Sequence, residues 1–147
     1  MQITKVTSNK KQYLPLLLLA DEEEAMIDRY LERGTMYVLE DGDVKAECLV
    51  TDEGDGILEI KSLATLPQFQ CRGYAKALVN FIEAKYKDRF KILQAGTGDS
   101  PATVPFYQKL GFIRSHIIKN FFTDNYSRPI YDGGVLLTDM VYLRKRL

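Results

Sequence analysis

Gln70-Cys71-Arg72-Gly73-Tyr74-Ala75 is the segment of this 147-residue chain whose residue types and spacing best suit a chemical task. It follows a β-like run, Ile57 to Leu66, and opens a helix-like run, Lys76 to Lys87. A strand, a short glycine-bearing loop and a helix together present backbone N–H groups that have no partner inside the helix. Those groups sit at the positive end of the helix dipole. The matching ligand is an anion, above all a phosphate or pyrophosphate. Gly73 lets backbone approach that ligand closely, and Ala75 keeps the next turn small. The spacing is neither the three-glycine dinucleotide fingerprint nor the Gly-Lys-Ser/Thr phosphate loop. It points to a phosphate-bearing cofactor of another kind, although the local pattern alone also fits a plain turn at a helix start.

Other reactive residue types are sparse. Cys48 and Cys71 are the only cysteines, and they form no C-x-x-C pair and have no partnering histidines. That argues against a zinc site, a disulfide framework and a cysteine nucleophile, and it fits a reducing cytoplasm. The single histidine, His116, falls in a β-like run and reads as a packed or edge residue. Lys plus Arg and Asp plus Glu are 20 each, so no global field draws in nucleic acid or an anionic membrane. Arg144-Lys145-Arg146 reads as a solvated tail. The apolar run Leu14 to Ala20 is too short to span a bilayer, and the first residues lack the features of a secretory signal.

The elements that would hold the loop follow from periodicity and punctuation. Gln2 to Thr7 alternates as an edge strand, and Lys10 to Ala20 reads as a short leucine-rich helix. Asp21, with Glu24 three residues on, has capping-box spacing for a helix that runs to Arg33 and stops at Gly34. The acids Glu22 to Glu24 then complement that helix's dipole. Thr35 to Glu40 and Val44 to Thr51 are strands joined by a hairpin turn at Asp41-Gly42-Asp43, and Glu53 to Gly56 leads into the strand Ile57 to Leu66. The amphipathic helix after Gly73 and a strand at Lys91 to Ala95 imply one parallel crossover. A turn at Gly96 to Ser100, a helix from Pro101 to Leu110 and a strand from Phe112 to Lys119 come next. An irregular aromatic connection, Asn120 to Gly134, precedes a last strand, Val135 to Leu143. The expected class is α/β (α+β): one domain with a mixed sheet of about seven strands and about four helices, its N-terminal half antiparallel.

Leu66-Pro67, Gln70-x-x-Gly73-x-Ala75, a strand, and then Phe106-Tyr107-Gln108-Lys109-Leu110-Gly111-Phe112 resemble the GNAT superfamily of acetyl-CoA-dependent N-acetyltransferases. The match in order and spacing runs from about Thr35 to Lys119, and the flanks agree in layout. Leu16 to Asp21 and Asp139 to Leu143 are similar to a subgroup of small bacterial members whose acceptors are poorly defined.

The resemblance implies a co-substrate, acetyl-CoA, and a set of roles. The backbone of Cys71, Arg72, Gly73, Tyr74, Ala75 and Lys76 would hold its pyrophosphate. Its pantetheine arm would enter a gap between the strand before the loop and the strand at Lys91, along Leu63, Ala64 and Thr65. The N–H of Leu63 or a neighbour would stabilise the developing oxyanion. The resemblance makes Tyr107 the acid for the departing thiolate. It offers Glu59, eleven positions before Gln70, as the base for the amine; a water chain or an outward salt-bridged Glu59 are the alternatives. Many members carry asparagine where this chain has Asp99, and an ionised aspartate cannot donate, so Ser100 or Thr97 would supply that contact.

The acceptor is expected to be a primary amine, either a small molecule or a protein lysine or N-terminus. Its walls would come from Tyr30, Phe121, Phe122, Tyr126 and Tyr131, with Asp124 and Asp132 as anchors for a cation. A homodimer would fit the family. The competing reading is a CoA-binding regulatory module that has lost turnover. No metal, nucleic acid or membrane partner is expected.

Overall fold

Glycine-driven turns set up the sheet. Gly42, at φ 86°, closes a hairpin between β2 (Thr35–Asp41) and β3 (Asp43–Asp52). Gly54, Asp55 and Gly56 all take positive φ, and the Gly54 N–H donates to Asp52 Oδ1 at 2.9 Å. This turn delivers β4 (Ile57–Thr65) antiparallel to β3. β1 (Gln2–Lys5) lies on the outer edge against β2. The computed structural model describes residues 1–147.

A crossover through α3 (Tyr74–Tyr86) leads to β5 (Ile92–Gly98), which runs parallel to β4. α4 (Val104–Lys109) and β6 (Ile113–Ile118) follow, and the chain ends in β9 (Met140–Arg146). β9 inserts between β5 and β6, giving a 7-stranded sheet in the order β1-β2-β3-β4-β5-β9-β6. Only the β4–β5 pair is parallel. β6 is left as an open edge, with Ile113, Ile117 and Ile118 exposed.

The two sheet faces carry separate cores. On one, Leu78, Val79 and Ile82 of α3 pack on Cys48, Val50, Leu58, Ile60 and Leu93. On the other, α1 (Leu14–Ala20) and α2 (Glu24–Ile27) bring Leu17 and Ile27 onto Met36, Val38 and Leu49. A small third cluster joins Phe122 of α5 (Phe121–Asn125) to Ile130 and Leu137.

Several sequence expectations need correction. Asp21 does not N-cap α2: it ends α1, its N–H on Leu17 O, and its carboxylate takes the hydroxyls of Tyr30 and Tyr126; the N-cap of α2 is Glu23, which makes no side-chain cap bond. The expected helix to Arg33 is regular only through Ile27 and continues as turns that end with the Gly34 N–H on Tyr30 O at 3.0 Å. Asn120 to Gly134 is not irregular throughout. Asn120, at φ 58°, opens α5, and Gly133-Gly134 turns a minor hairpin of β7 (Tyr131–Asp132) and β8 (Val135–Leu136). The last strand therefore starts at Met140 rather than Val135. There are thus five α-helices, one more than expected, and Lys10–Tyr13 is a separate 3₁₀ turn before α1.

Gly34 sits against the second core. A Cβ there would meet Leu49 Cγ at 2.9 Å, with Leu49 Cδ2 closer still. Gly34→Ala is expected to lower stability by about 1–3 kcal/mol through overpacking. A chemical-denaturation midpoint equal to wild type would show that Leu49 yields freely.

Candidate active site

The site begins where β4 and β5 part. Their pairing runs from Ile57↔Ile92 to Ile60↔Ala95 and then stops. At that point the β3–β4 register shifts: Val50 faces Ile60 but Leu49 faces Ser62, so Lys61 bulges out of the ladder. A bulge bends its strand and strengthens the local twist, and here it swings the end of β4 away from β5.

The open side of β4 carries unused backbone. The Leu66 N–H donates to Lys45 O at 2.9 Å. Antiparallel bonds alternate, so the pairs that bond to β3 are Leu66–Lys45, Ala64–Glu47 and Ser62–Leu49. Leu63 and Thr65 therefore turn their N–H and C=O groups into the gap. Of the three predicted arm contacts, Ala64 has its backbone committed to β3.

Beyond Thr65 the chain reaches the predicted anion loop. Cys71, at φ 63°, and Gly73, at φ 86°, curl the backbone in the left-handed region before α3 starts. The first backbone bond of the helix is Ala77 N–H to Gly73 O at 2.9 Å. The N–H groups of Cys71, Arg72, Gly73, Tyr74, Ala75 and Lys76 have no acceptor within the protein. A Cβ on Gly73 would meet nothing within 4 Å, so the approach to this nest is clear. Arg72 and Lys45 lie over the Phe69 ring at 5.3 and 3.8 Å and add positive charge beside it. The Tyr74 hydroxyl donates to Asp41 Oδ2 at 2.6 Å and pins the first turn to the β2 end.

A cavity of about 460 Å³ opens on the gap, floored by Ile60 to Leu63 of β4 and Gly96 to Gly98 of β5. Tyr107 lies in its wall. The ring is buried edge-on to Phe106 and Phe112, at 5.1 and 5.3 Å, and the hydroxyl has no protein partner. Burial raises its pKa, so the phenol keeps its proton at working pH. Thr97 and Thr103 share a hydroxyl hydrogen bond of 2.8 Å on the same wall.

The structure places the remaining predicted residues more variously. Asp99 is not brought to the cavity: it points out and pairs with Arg114 at 3.0 Å. Ser100 Oγ accepts from the Ala102 N–H at 3.0 Å and donates to Asp132 O at 3.4 Å, so it holds the turn together. Thr97 is the hydroxyl left at the cavity. Phe122, Tyr126, Tyr131 and Asp132 do line the cavity, whereas Tyr30, Phe121 and Asp124 do not. Tyr30 and Tyr126 donate to Asp21, at 3.1 and 2.6 Å, and tie the end of α1 to α5. Burial raises the Asp21 carboxyl pKa, and the two phenols oppose the shift. His116 stacks on Tyr142 at 4.6 Å, on exposed β6.

Glu59 is buried but stands outside the cavity wall, with both oxygens engaged. Lys61 Nζ lies 2.8 Å from Oε2, and Gln94 Nε2 donates to Oε1 at 2.5 Å. Gln94 Oε1 in turn accepts from Arg144 Nε at 3.0 Å. This carboxylate is ion-paired and hydrogen-bonded, and it meets the cavity only through Lys61.

A second carboxylate on the same face escaped the sequence reading. Glu47 is 0 % exposed. Ser62, a cavity residue, donates to its Oε1 at 2.5 Å, while Oε2 has no partner. Burial pushes its pKa up to about 8, opposed only by the Ser62 hydrogen bond. A signal was available in the sequence: Glu47 is the lone acid between Ala46 and Val50 of an apolar strand.

A splayed parallel pair with free strand backbone lies beside a helix start with free N–H groups, which is the arrangement the GNAT resemblance implies for an enzyme that takes its acyl group from coenzyme A. The comparisons agree. The family described as acetyltransferase (GNAT) domain matches residues 32–114. The N-acetyltransferase YvbK of Bacillus subtilis strain 168, itself described as uncharacterized, is 36% identical over 131 residues, covering 87% of this chain and 84% of that protein. A GNAT family acetyltransferase of Elizabethkingia anophelis, solved with acetyl-CoA bound, superposes with a TM-score of 0.92 at 34% identity, covering 99% of this chain and 97% of that one. A Bacillus subtilis acetyltransferase in complex with CoA gives 0.89 at 32% identity, covering 99% and 98%.

The chain belongs to the GNAT superfamily of N-acetyltransferases. It is an acetyl-CoA-dependent enzyme, with acetyl-CoA as co-substrate. No group of three or more His, Cys, Asp or Glu is placed to hold a metal ion, and no helix is long and apolar enough to cross a membrane.

Glu47 makes a measurable demand on stability. Its folded pKa lies above the unfolded carboxylate value, so between pH 4.5 and about 8 the folded state holds a proton that the unfolded state has lost. Stability contributed by this group is therefore lost as pH rises through that window, by about 1.4 kcal/mol per unit at most. Glu47→Gln is expected to gain on wild type steadily across it, and parallel curves of unfolding free energy against pH would refute the assignment.

Proposed function

We propose that the enzyme transfers the acetyl group of acetyl-CoA to a primary amine by direct attack while both substrates are bound. The observation that carries this reading is the Tyr107 hydroxyl, proton-bearing and free of protein partners, in the wall of a cavity built on the β4–β5 gap.

The residues divide the work by position. Backbone N–H groups of Cys71 to Lys76 hold the pyrophosphate, and Gly73 keeps its approach clear. Leu63 and Thr65 offer N–H and C=O groups to the amide-bearing arm, as a partner strand would. The Leu63 N–H, at the deep end of the gap, faces the negative charge that develops on the acetyl oxygen. Tyr107 donates its proton to the departing sulfur.

The acceptor enters from the other end of the cavity. Phe122, Tyr126 and Tyr131 give it apolar walls, and Asp21, Glu22 and Asp132 set carboxylates among them. That lining supports a small amine with cationic character over an extended protein segment. The exposed Cys71 thiol and the buried Cys48 thiol are both free, in keeping with a cytoplasmic location.

Thermal unfolding tests the co-substrate site of this protein directly. Acetyl-CoA at 100 times its Kd is expected to stabilise the fold by about 2.7 kcal/mol, with no such shift from ATP. For the acid, Tyr107→Phe should lower kcat about 100-fold while leaving the acetyl-CoA Kd in place. An unchanged kcat would remove Tyr107 from the chemistry.

A further inference from the structure

The attacking amine needs somewhere to send its proton, and the Glu59 carboxylate is already paired with Lys61 and Gln94. We propose that Ser62 and Glu47 form the proton relay of the acceptor side. In this relay Ser62 Oγ receives the amine proton as its own hydrogen passes to the Glu47 carboxylate. The proposal rests on the amine-acetylation reading above and supplies the base that reading lacks.

Geometry places both residues for the task. Ser62 lies one position after the Lys61 bulge and one before Leu63, whose N–H faces the acetyl oxygen. Its side chain shares a sheet face with Leu49, which packs in the α1/α2 core. That is the face where Asp21 and Glu22 reach the cavity. The 2.5 Å bond to Glu47 Oε1 orients the serine hydrogen inward and leaves its lone pairs for a donor in the cavity. Glu47 Oε2 is buried without a partner, as a group held in reserve for a proton would be.

The surroundings of Glu47 contain no cation to fix it as a carboxylate. Val38 on β2 and Ala64 on β4 flank it across the sheet. The titratable groups that sense its charge are Tyr30 beyond α2, Tyr107 on α4 and its chain neighbour Cys48, none of them positive. Lys61, the nearest lysine along β4, is engaged by Glu59. A carboxyl pKa near 8 follows from burial. It makes Glu47 a far better proton acceptor than an exposed carboxylate, in a range where an enzyme can ionise it.

The step balances. A neutral amine nitrogen bonds through its lone pair to the thioester carbon, and one N–H proton moves to Ser62 Oγ as the serine hydrogen moves to Glu47. The C–S bond breaks with its electron pair going to sulfur, and Tyr107 gives sulfur a proton. One proton then returns from Glu47 to Tyr107 through water, which restores both groups. Glu47 acts through Ser62 and is a positioning residue and proton sink; Ser62 is the group that touches the amine.

The test follows thiol release by the full chain with acetyl-CoA and three probe amines (spermidine, tyramine and a lysine-bearing peptide) from pH 6 to 9.5. It compares wild type, Glu47→Gln, Ser62→Ala and Ser62→Thr. Acetyl-CoA thermal shifts first establish that each variant is folded with its co-substrate site intact. Wild-type kcat should rise toward a midpoint near pH 8. Glu47→Gln should lose that limb and fall roughly 100-fold at high pH with the acetyl-CoA KM unchanged. Ser62→Ala should fall alike, and Ser62→Thr, which keeps the hydroxyl, should recover most of the rate. The amine's own ionisation is common to every variant, so the ratio of profiles isolates Glu47. A Glu47→Gln profile that overlays wild type overturns the relay and leaves acetyl transfer standing. Acetyl-CoA binding with no turnover of any probe amine by wild type overturns the amine-acetylation reading, and the relay falls with it.

Discussion

The extra residue at Lys61 is the constraint on which the site depends. Without it β4 and β5 would continue to pair, and the ladder that starts at Ile57↔Ile92 would close over the space the acyl donor needs. With it, one strand edge is left unsatisfied over Leu63 and Thr65, and Leu63 lines the cavity. Unpaired backbone inside a protein costs on the order of a hydrogen bond per group. A ligand that supplies those bonds recovers that free energy on binding. On the proposed reading, an amide-bearing chain that completes the sheet would recover that cost.

The same bulge decides where side chains point. Strand side chains alternate, and one inserted residue resets the alternation. Ile60 and Leu63 thereby both face the α3 core, although three positions separate them, while Glu59 and Ser62 face the α1/α2 side. Glu47, Glu59 and Ser62 thus share one face of the sheet, while Tyr107 packs in the core on the other. The two acids on the polar face are held differently. Glu59 is paired with Lys61 and hydrogen-bonded to Gln94, which in turn accepts from Arg144. Glu47 has a serine and nothing else, so desolvation prevails and the neutral form is favoured.

Much of this frame was legible in the residues. The Asp41-Gly42-Asp43 turn, the three antiparallel strands, the helix after Gly73 and the parallel crossover all follow from local punctuation and period, and each stands in the structure. The free N–H groups of Cys71 to Lys76 were legible for the same reason, since they are a consequence of chain geometry alone. What escaped depends on tertiary partners. Asp21 looks like a helix cap until Tyr126, remote in sequence, claims its carboxylate. Glu59 has the spacing of a base, and that spacing does not disclose that Lys61 and Gln94 engage both of its oxygens. Asp132-Gly133-Gly134 carried a hairpin signal that the surrounding aromatics masked.

Glu47 is the instructive omission, because its signal was a violation rather than a motif. A glutamate at a fully buried strand position contradicts the apolar pattern around it and destabilises the fold at neutral and higher pH. Local inconsistencies of this kind gather at functional sites, where stability is given up for chemistry. Replacing Glu47 by an apolar residue would relieve the burial cost and would leave Ser62 without an acceptor. The serine hydroxyl would then turn toward the cavity and offer its hydrogen to the amine nitrogen, occupying the lone pair that has to attack. The burial that makes Glu47 costly to fold therefore also keeps Ser62 oriented to receive a proton rather than to give one.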